Sequence, residues 1–334
     1  MKAAFLYGPR DLRVERSAPP GARAQEAVVR VAVAGLCGTD HRIFTGDRTV
    51  AYPRVMGHEF VGVVEAVGDG VTHIGVGDRV AVEPNYSCGT CPLCREGNRN
   101  LCLSRTAIGI DVDGCFAELV RVPARCCWPA PAGIADEDLV LTEPLAVVVR
   151  AVERASVRAG ETAAVVGVGT LGLLALQVLR ARAARVLCIG RTGRRFPLAR
   201  ELGAEAVHAA SDGEPTSVAR AFSGREGVDI VIETAGTPEA VNHALEVVRP
   251  GGRIILTGLP HAPTAVSFFS VVRREVTITG SMIYQDEFAE AMRLVAAGRV
   301  RTAPLITHRV PLEQIARAFA AHEEPAAIKV AVLP

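Results

Sequence analysis

Lysine is nearly absent from this 334-residue chain: Lys2 and Lys329 are the only two, and every other basic residue is arginine. With so much alanine and glycine alongside, that imbalance reads as coding bias rather than a binding surface. Charge of one sign is lacking too. Thirty-seven basic residues stand against 36 acidic ones, a net charge of +1, so no global field recruits nucleic acid or an anionic membrane. The opening stretch MKAAFLYGPRDLRV has no apolar core long enough for a secretory leader, and the chain is expected to be cytoplasmic. The strongest apolar run, Ala163 to Leu179, is short for a membrane span. It is broken by Gly167, Gly169, Gly172 and Gln177, so it reads as a buried strand, turn and helix. An even cysteine count is missing as well: nine thiols without an export signal point to metal or thiol chemistry in a reducing compartment. Neither an internal repeat nor a low-complexity linker is present.

What is present begins with apolar residues, 49% of the chain, ample for packed cores, at a length that calls for two domains. The first third reads as β. Short β-branched runs, Ala27 to Gly35 and Phe60 to Gly68, end in glycine turns, and Gly75 to Val82 is a turn followed by a strand. From about Val147 apolar strands alternate with helical stretches, which predicts βαβ units and a parallel sheet with helices on both faces. Two amphipathic helices and a last strand, AIKVAVLP, close the chain.

Four cysteines crowd into one loop. Cys88, Cys91, Cys94 and Cys102 have the spacing C-x2-C-x2-C-x7-C, and two-residue gaps let thiolates converge on one ion. Four sulfurs fill a tetrahedral zinc shell and leave no open position, so such a site is structural. An iron–sulfur cluster is the main rival, and four unrelated thiols the bland alternative. A nucleic-acid-reading finger needs a basic helix after the cysteines, and REGNRNLCLSRTAIG does not supply one. Upstream, Cys37 in GLCGTD and the pair His58 and Glu59 in MGHEF offer a thiolate, an imidazole and a carboxylate. Three such ligands leave a fourth place for water or substrate, the arrangement of a catalytic zinc. Taken singly, each has a bland reading: a buried small thiol, or ordinary surface polarity.

These motifs carry a resemblance. CGTD (37–40), GHE (57–59), the four-cysteine loop, TEPLAV (142–147), GVGTLG (167–172) and VIETAG (231–236) resemble, in order, those of zinc-dependent medium-chain alcohol and polyol dehydrogenases, of the sorbitol and threonine dehydrogenase branch. The resemblance implies an α/β plus β fold: a GroES-like β-rich catalytic domain over 1–146, a Rossmann domain over 147–282, and a 283–334 tail returning to the catalytic domain. It also implies about two zinc ions per chain, one catalytic and one structural. Cys37, His58 and Glu59 hold the catalytic ion, with Glu143 at the metal directly or through a water. Asp40 accepts a hydrogen bond from His58 and fixes its tautomer.

The stretch AAVVGVGTLGLLALQ sets Gly167, Gly169 and Gly172, with Thr170 and Leu171 between, after a strand and at the mouth of a helix. That context supports a pyrophosphate cradle on the helix N-terminus, against the alternative of a plain glycine turn. NAD enzymes place an acid at the end of the second strand for the ribose 2′-OH. Here Gly190, Arg191 and Thr192 stand there instead, with Arg194 and Arg195 close behind. No carboxylate repels a 2′-phosphate and Arg191 offers a bidentate partner, so NADP is favoured over NAD, with a merely solvated turn as the alternative. By resemblance Lys329 reaches the pyrophosphate from the tail, and Thr39 passes on the alcohol proton.

The implied reaction is reversible oxidation of a secondary alcohol (a polyol, cyclitol or amino alcohol) to a ketone. The sequence departs from the family in two places. Arg42 occupies a position where relatives often carry a relay histidine, with His41 one earlier. Ile283 precedes Tyr284 where sorbitol enzymes have an arginine, which argues against a long sugar alcohol. Phe44 and Tyr284 are the implied pocket residues, with Thr257 and Ser281 beside the nicotinamide. The partner is a small-molecule alcohol or ketone, and a homodimer or homotetramer is expected. The rivals are a zinc-free NADPH enone or quinone reductase and a non-catalytic NADP-binding regulator; the ligand set and the four-cysteine loop stand against both.

Overall fold

Valine and alanine dominate the stretch from Glu26 to Leu36, and it forms an eleven-residue strand buried along most of its length. This strand sits inside a seven-stranded sheet ordered Cys127–Pro129, Arg79–Val82, Glu59–Val67, Glu26–Leu36, Lys329–Leu333, Ile306–Pro311, with Leu119–Pro123 also paired to Glu26–Leu36. Pairing is antiparallel throughout except between the last two strands of the chain. The terminal strand therefore lies directly against the strand that precedes Cys37. Leu6, Val29, Phe60, Phe116 and Phe319 fill the core beneath. Helix Ile315–His322 turns Ile315, Ala318 and Phe319 inward, the spacing of an amphipathic helix.

The computed structural model describes residues 1–259 and 263–334. Its chain divides into two units: 1–143 with 291–296 and 302–334, and 144–290 with 297–301. The second unit carries the parallel sheet that the alternation of strands and helices predicts. Along the chain its strands are Thr162–Val166, Arg185–Gly190, Ala206–Ala209, Val228–Glu233, Val248–Leu256 and Thr277–Gly280. In space they run third, second, first, fourth, fifth, sixth, all parallel. That is the doubly wound order, with its switch point between the first and fourth strands. Helix Thr170–Ala181 buries every residue from Gly172 to Leu179. Gln177, the polar exception, is satisfied: its Nε2 donates to Leu173 O at 3.2 Å and its Oε1 accepts from Arg301 N at 2.7 Å. Among the described residues no helix is long and apolar enough to cross a membrane.

Candidate active site, metal sites and cofactor turn

Strand register assembles the first cluster. Glu59 opens its strand opposite Gly35, and Gly35 in turn pairs with Ala331 on the terminal strand. One residue beyond the Leu36–Val330 pair lie Cys37 and Lys329. Gly57, at φ +92°, turns the chain just before His58, in a conformation an L side chain rarely adopts. One donor atom each from Cys37, His58 and Glu59 lies within 4.8 Å of the others, with His58 and Glu59 buried.

Asp40 ties the cluster together. It is fully buried in the first turn of helix Gly38–Thr45, where its Oδ2 accepts from Cys37 N at 2.9 Å. Its Oδ1 accepts from Gly57 N and from His58 Nδ1–H, each at 3.2 Å. A carboxylate only accepts, so Nδ1 carries the proton and Nε2 is left for a metal. Burial pushes His58 down, but the charge and hydrogen bond of Asp40 win and hold it well above the ordinary imidazole range. A metal ion at Nε2 therefore displaces a proton.

Lys329, which the resemblance assigns to the cofactor pyrophosphate, stands beside this cluster. Its buried Nζ donates to both oxygens of Glu59, at 2.8 and 2.7 Å. The Glu59 carboxylate reaches it by passing over Gly35, where an added Cβ falls 2.3 Å from Oε2. Gly35→Ala is therefore expected to force Glu59 aside and cost about 2 kcal/mol, as overpacking does. Metal analysis checks it: the variant loses metal at this cluster and keeps it at the four-cysteine loop. Retention at both refutes the steric argument. Glu143 is buried in the first turn of helix Thr142–Arg154 and is near enough to act on the charge of Lys329, yet it falls outside the three-residue donor cluster.

The four-cysteine loop closes as its spacing implies. Sγ atoms of Cys88, Cys91, Cys94 and Cys102 lie within 4.8 Å of one another. Cys88 and Cys102 are 3.5 Å apart and Cys91 and Cys102 3.9 Å. A tetrahedral ion with Zn–S bonds of ~2.3 Å sets sulfurs about 3.8 Å apart, so these edges suit one central ion rather than a larger cluster. Backbone amides prepare the thiolates: Cys88 Sγ accepts from Thr90 N and Cys91 N, Cys102 Sγ from Cys88 N and Ser104 N. Those of Thr90 and Cys91 lower Cys88 to about 6.

In the second unit, Gly167 takes φ +100°, and a Cβ there would meet Thr234 and Ala235. Gly169 caps helix Thr170–Ala181 with open space in front of it, its nearest neighbour being Arg195 Nη1 at 3.7 Å from an added Cβ. Gly172 lies so close to Gly167 O that a Cβ would sit 1.8 Å away. The amides of a helix N-terminus, with backbone open to approach at Gly169, suit a pyrophosphate. Past the second strand, Gly190 leads into exposed Arg191 and Thr192. Arg195 donates to Val168 O at 3.1 Å and is held below its ordinary range, first by burial and then by the charge of Arg191. Two guanidiniums near enough to repel favour an anion between them.

Residues 23–132 match the family model described as alcohol dehydrogenase GroES-like domain, and residues 170–297 match that described as zinc-binding dehydrogenase. The chain belongs to the zinc-dependent medium-chain alcohol/polyol dehydrogenases. It is 35% identical to an L-threonine 3-dehydrogenase of Bacillus velezensis, over 94% of this chain and 93% of the relative. A sorbitol dehydrogenase of Bacillus subtilis is 32% identical over 94% and 91%. Galactitol-1-phosphate dehydrogenase from Escherichia coli superposes with a TM-score of 0.93 at 32% identity, covering 100% of both chains. A zinc-binding dehydrogenase structure from Sinorhizobium meliloti 1021, bound to NADP, reaches 0.95 at 32% identity over 100% and 99%. This alcohol dehydrogenase-type enzyme is an oxidoreductase of that family, with zinc and a nicotinamide cofactor as the family's equipment.

The remaining expected residues lie as follows in this dehydrogenase. Thr39 is half-buried between Cys37 and Asp40. Phe44 stacks on Phe319, centroids 4.4 Å apart, in the first unit, whereas Tyr284 is buried edge-on against Phe288 in the second. Thr257 Oγ1 and Ser281 Oγ, each just past the end of its strand, are buried without a hydrogen-bond partner. His41 Nε2 bonds Glu323 at 2.8 Å, and its ring faces His322 at 5.4 Å. His322 is pushed down to about 4, first by burial and then by Lys329 and His41. Sequence reasoning missed Gly35, although a lone glycine ending a valine-rich strand two residues before Cys37 is a signal of close approach. His322 carried no signal.

Proposed function

We propose that this enzyme reversibly oxidises a small secondary alcohol (polyol, cyclitol or amino alcohol) to a ketone with NADP as hydride acceptor. The observation that carries the reading is the Cys37–His58–Glu59 donor cluster, with Asp40 accepting from His58 Nδ1–H so that Nε2 is the ring nitrogen left to act as a ligand. These three residues hold the catalytic zinc, with Glu143 joining directly or through a water, and Cys88, Cys91, Cys94 and Cys102 hold the structural one. Zinc at the first site supplies a Lewis acid that makes the alcohol proton acidic near neutral pH. Thr39, between a ligand and Asp40, takes that proton onward. Gly167, Gly169, Thr170, Leu171 and Gly172 cradle the pyrophosphate, and Gly190, Arg191 and Thr192 receive the ribose 2′-phosphate. Phe44 is the proposed substrate residue of the first unit and Tyr284 that of the second. The working division is a catalytic 1–146, a dinucleotide-binding 147–282 and a returning 283–334, assembled as a cytoplasmic homodimer or homotetramer.

The test offers purified protein a panel of polyols, amino alcohols, cyclitols and simple secondary alcohols, with NADP and NAD separately, alongside metal analysis. The expected result is turnover on one class with NADP and about two zinc ions per chain. A chain that holds no zinc at the Cys37 cluster and turns over nothing sinks the proposal.

A further inference from the structure

The Glu59–Lys329 pair is the most deeply buried ion pair that the structure brings into a donor cluster, and the zinc reading alone gives it no task. Both partners are almost fully buried, at 1% and 4% exposure. The ammonium takes a lone pair from each Glu59 oxygen, at 2.8 and 2.7 Å, and those are the atoms Glu59 offers to a metal. Glu59 and Glu143 are the carboxylates of the expected ligand set, and Cys37 is its thiol.

We propose that Lys329 is a positioning residue of the metal centre, whose ammonium is the resident counter-charge holding the anionic ligands together before the metal arrives and limiting how tightly the metal is then held. The inference rests on the zinc reading of Cys37, His58 and Glu59. Without a cation, a buried carboxylate beside a thiol and a second carboxylate lacks any compensation, and the metal-free site is strained open. Once a dication is present, the same ammonium competes for the Glu59 lone pairs and repels the metal across a short, poorly solvated distance. One residue therefore stabilises the empty site and loosens the filled one. Strand order makes this possible: the terminal strand sets Lys329 beside Cys37, and side-chain-free Gly35 lets Glu59 cross to it.

The test titrates zinc into full-length protein stripped at this site, in competition with a chromophoric chelator, and follows thermal melting with and without zinc. Wild type is compared with Lys329→Met, Lys329→Gln and Lys329→Arg. Glutamine keeps a hydrogen-bond donor for Glu59 while losing the charge, so it serves where methionine prevents folding. Both neutral variants are expected to bind zinc about ten-fold or more tighter than wild type, while arginine, which keeps the charge, stays close to it. Metal-free neutral variants melt several degrees below the metal-free wild type, and saturating zinc removes the difference. Unchanged or weaker zinc binding in the folded neutral variants overturns the proposal, whatever the melting temperatures. If wild type takes zinc at the four-cysteine loop but none at Cys37, His58 and Glu59, the zinc reading itself has failed and this inference falls with it.

Discussion

Asp40→Asn is expected to lower zinc affinity at the Cys37 cluster and turnover together, each by roughly 10- to 100-fold, as loss of a residue that orients metal ligands does. Asp40 touches neither substrate nor metal, but it accepts from the Cys37 amide, the Gly57 amide and His58 Nδ1–H at once. A carboxylate has acceptors for all three. An asparagine has one oxygen, and its amide nitrogen confronts at least one of those N–H groups donor to donor. If the amide faces His58, the imidazole moves its proton to Nε2, the atom a metal needs. If it stands in place of Oδ2, it faces Cys37 N, and the helix start that aims Cys37 opens. Either way a buried, charge-compensated network loses one partner, at a stability cost of about 3 kcal/mol. Zinc titration and kcat/KM measured side by side check it. Wild-type zinc affinity in Asp40→Asn means that His58 is oriented by something other than Asp40.

Spacing made much of this site legible, because its motifs are local. The four cysteines, the Cys37–Asp40 turn and the Gly167–Gly172 turn each complete their geometry within a single loop or helix start, where residue separation fixes distance. Alternation of strand and helix likewise announces the parallel sheet, since the hydrophobic period changes from two to about 3.6. What stayed illegible depends on strand order. Glu59 and Lys329 are 270 residues apart, and they meet because the terminal strand pairs with Glu26–Leu36 rather than ending at the sheet edge. No periodicity encodes that choice of neighbour. His41 and Glu323, 282 residues apart, meet for the same kind of reason, with helix Ile315–His322 laid against the core by Ile315, Ala318 and Phe319. Gly35 lies between the two cases. Its position is visible in the sequence, but its purpose appears only once the Glu59 carboxylate is seen crossing it.

The cofactor turn supports the second large prediction, that Arg191→Ala lowers kcat/KM with NADP by about 10- to 100-fold and changes it with NAD by less than about 2-fold. Arg191 is exposed and forms no ion pair among the described residues, so nothing in the protein needs it. Arg195 differs. It is half-buried and donates to Val168 O inside the glycine turn, so Arg195→Ala disturbs the cradle that both cofactors share and lowers both efficiencies. The pair of variants separates two explanations of an arginine-rich turn. A phosphate reader loses NADP alone, because the 2′-phosphate is the one charge by which the cofactors differ. A structural arginine loses both, because pyrophosphate binding precedes any reading of the ribose. Steady-state kinetics with each cofactor decides it. Equal losses for Arg191→Ala would make the turn a scaffold and return NAD to consideration, with the vacancy at Gly190 then unexplained by phosphate recognition.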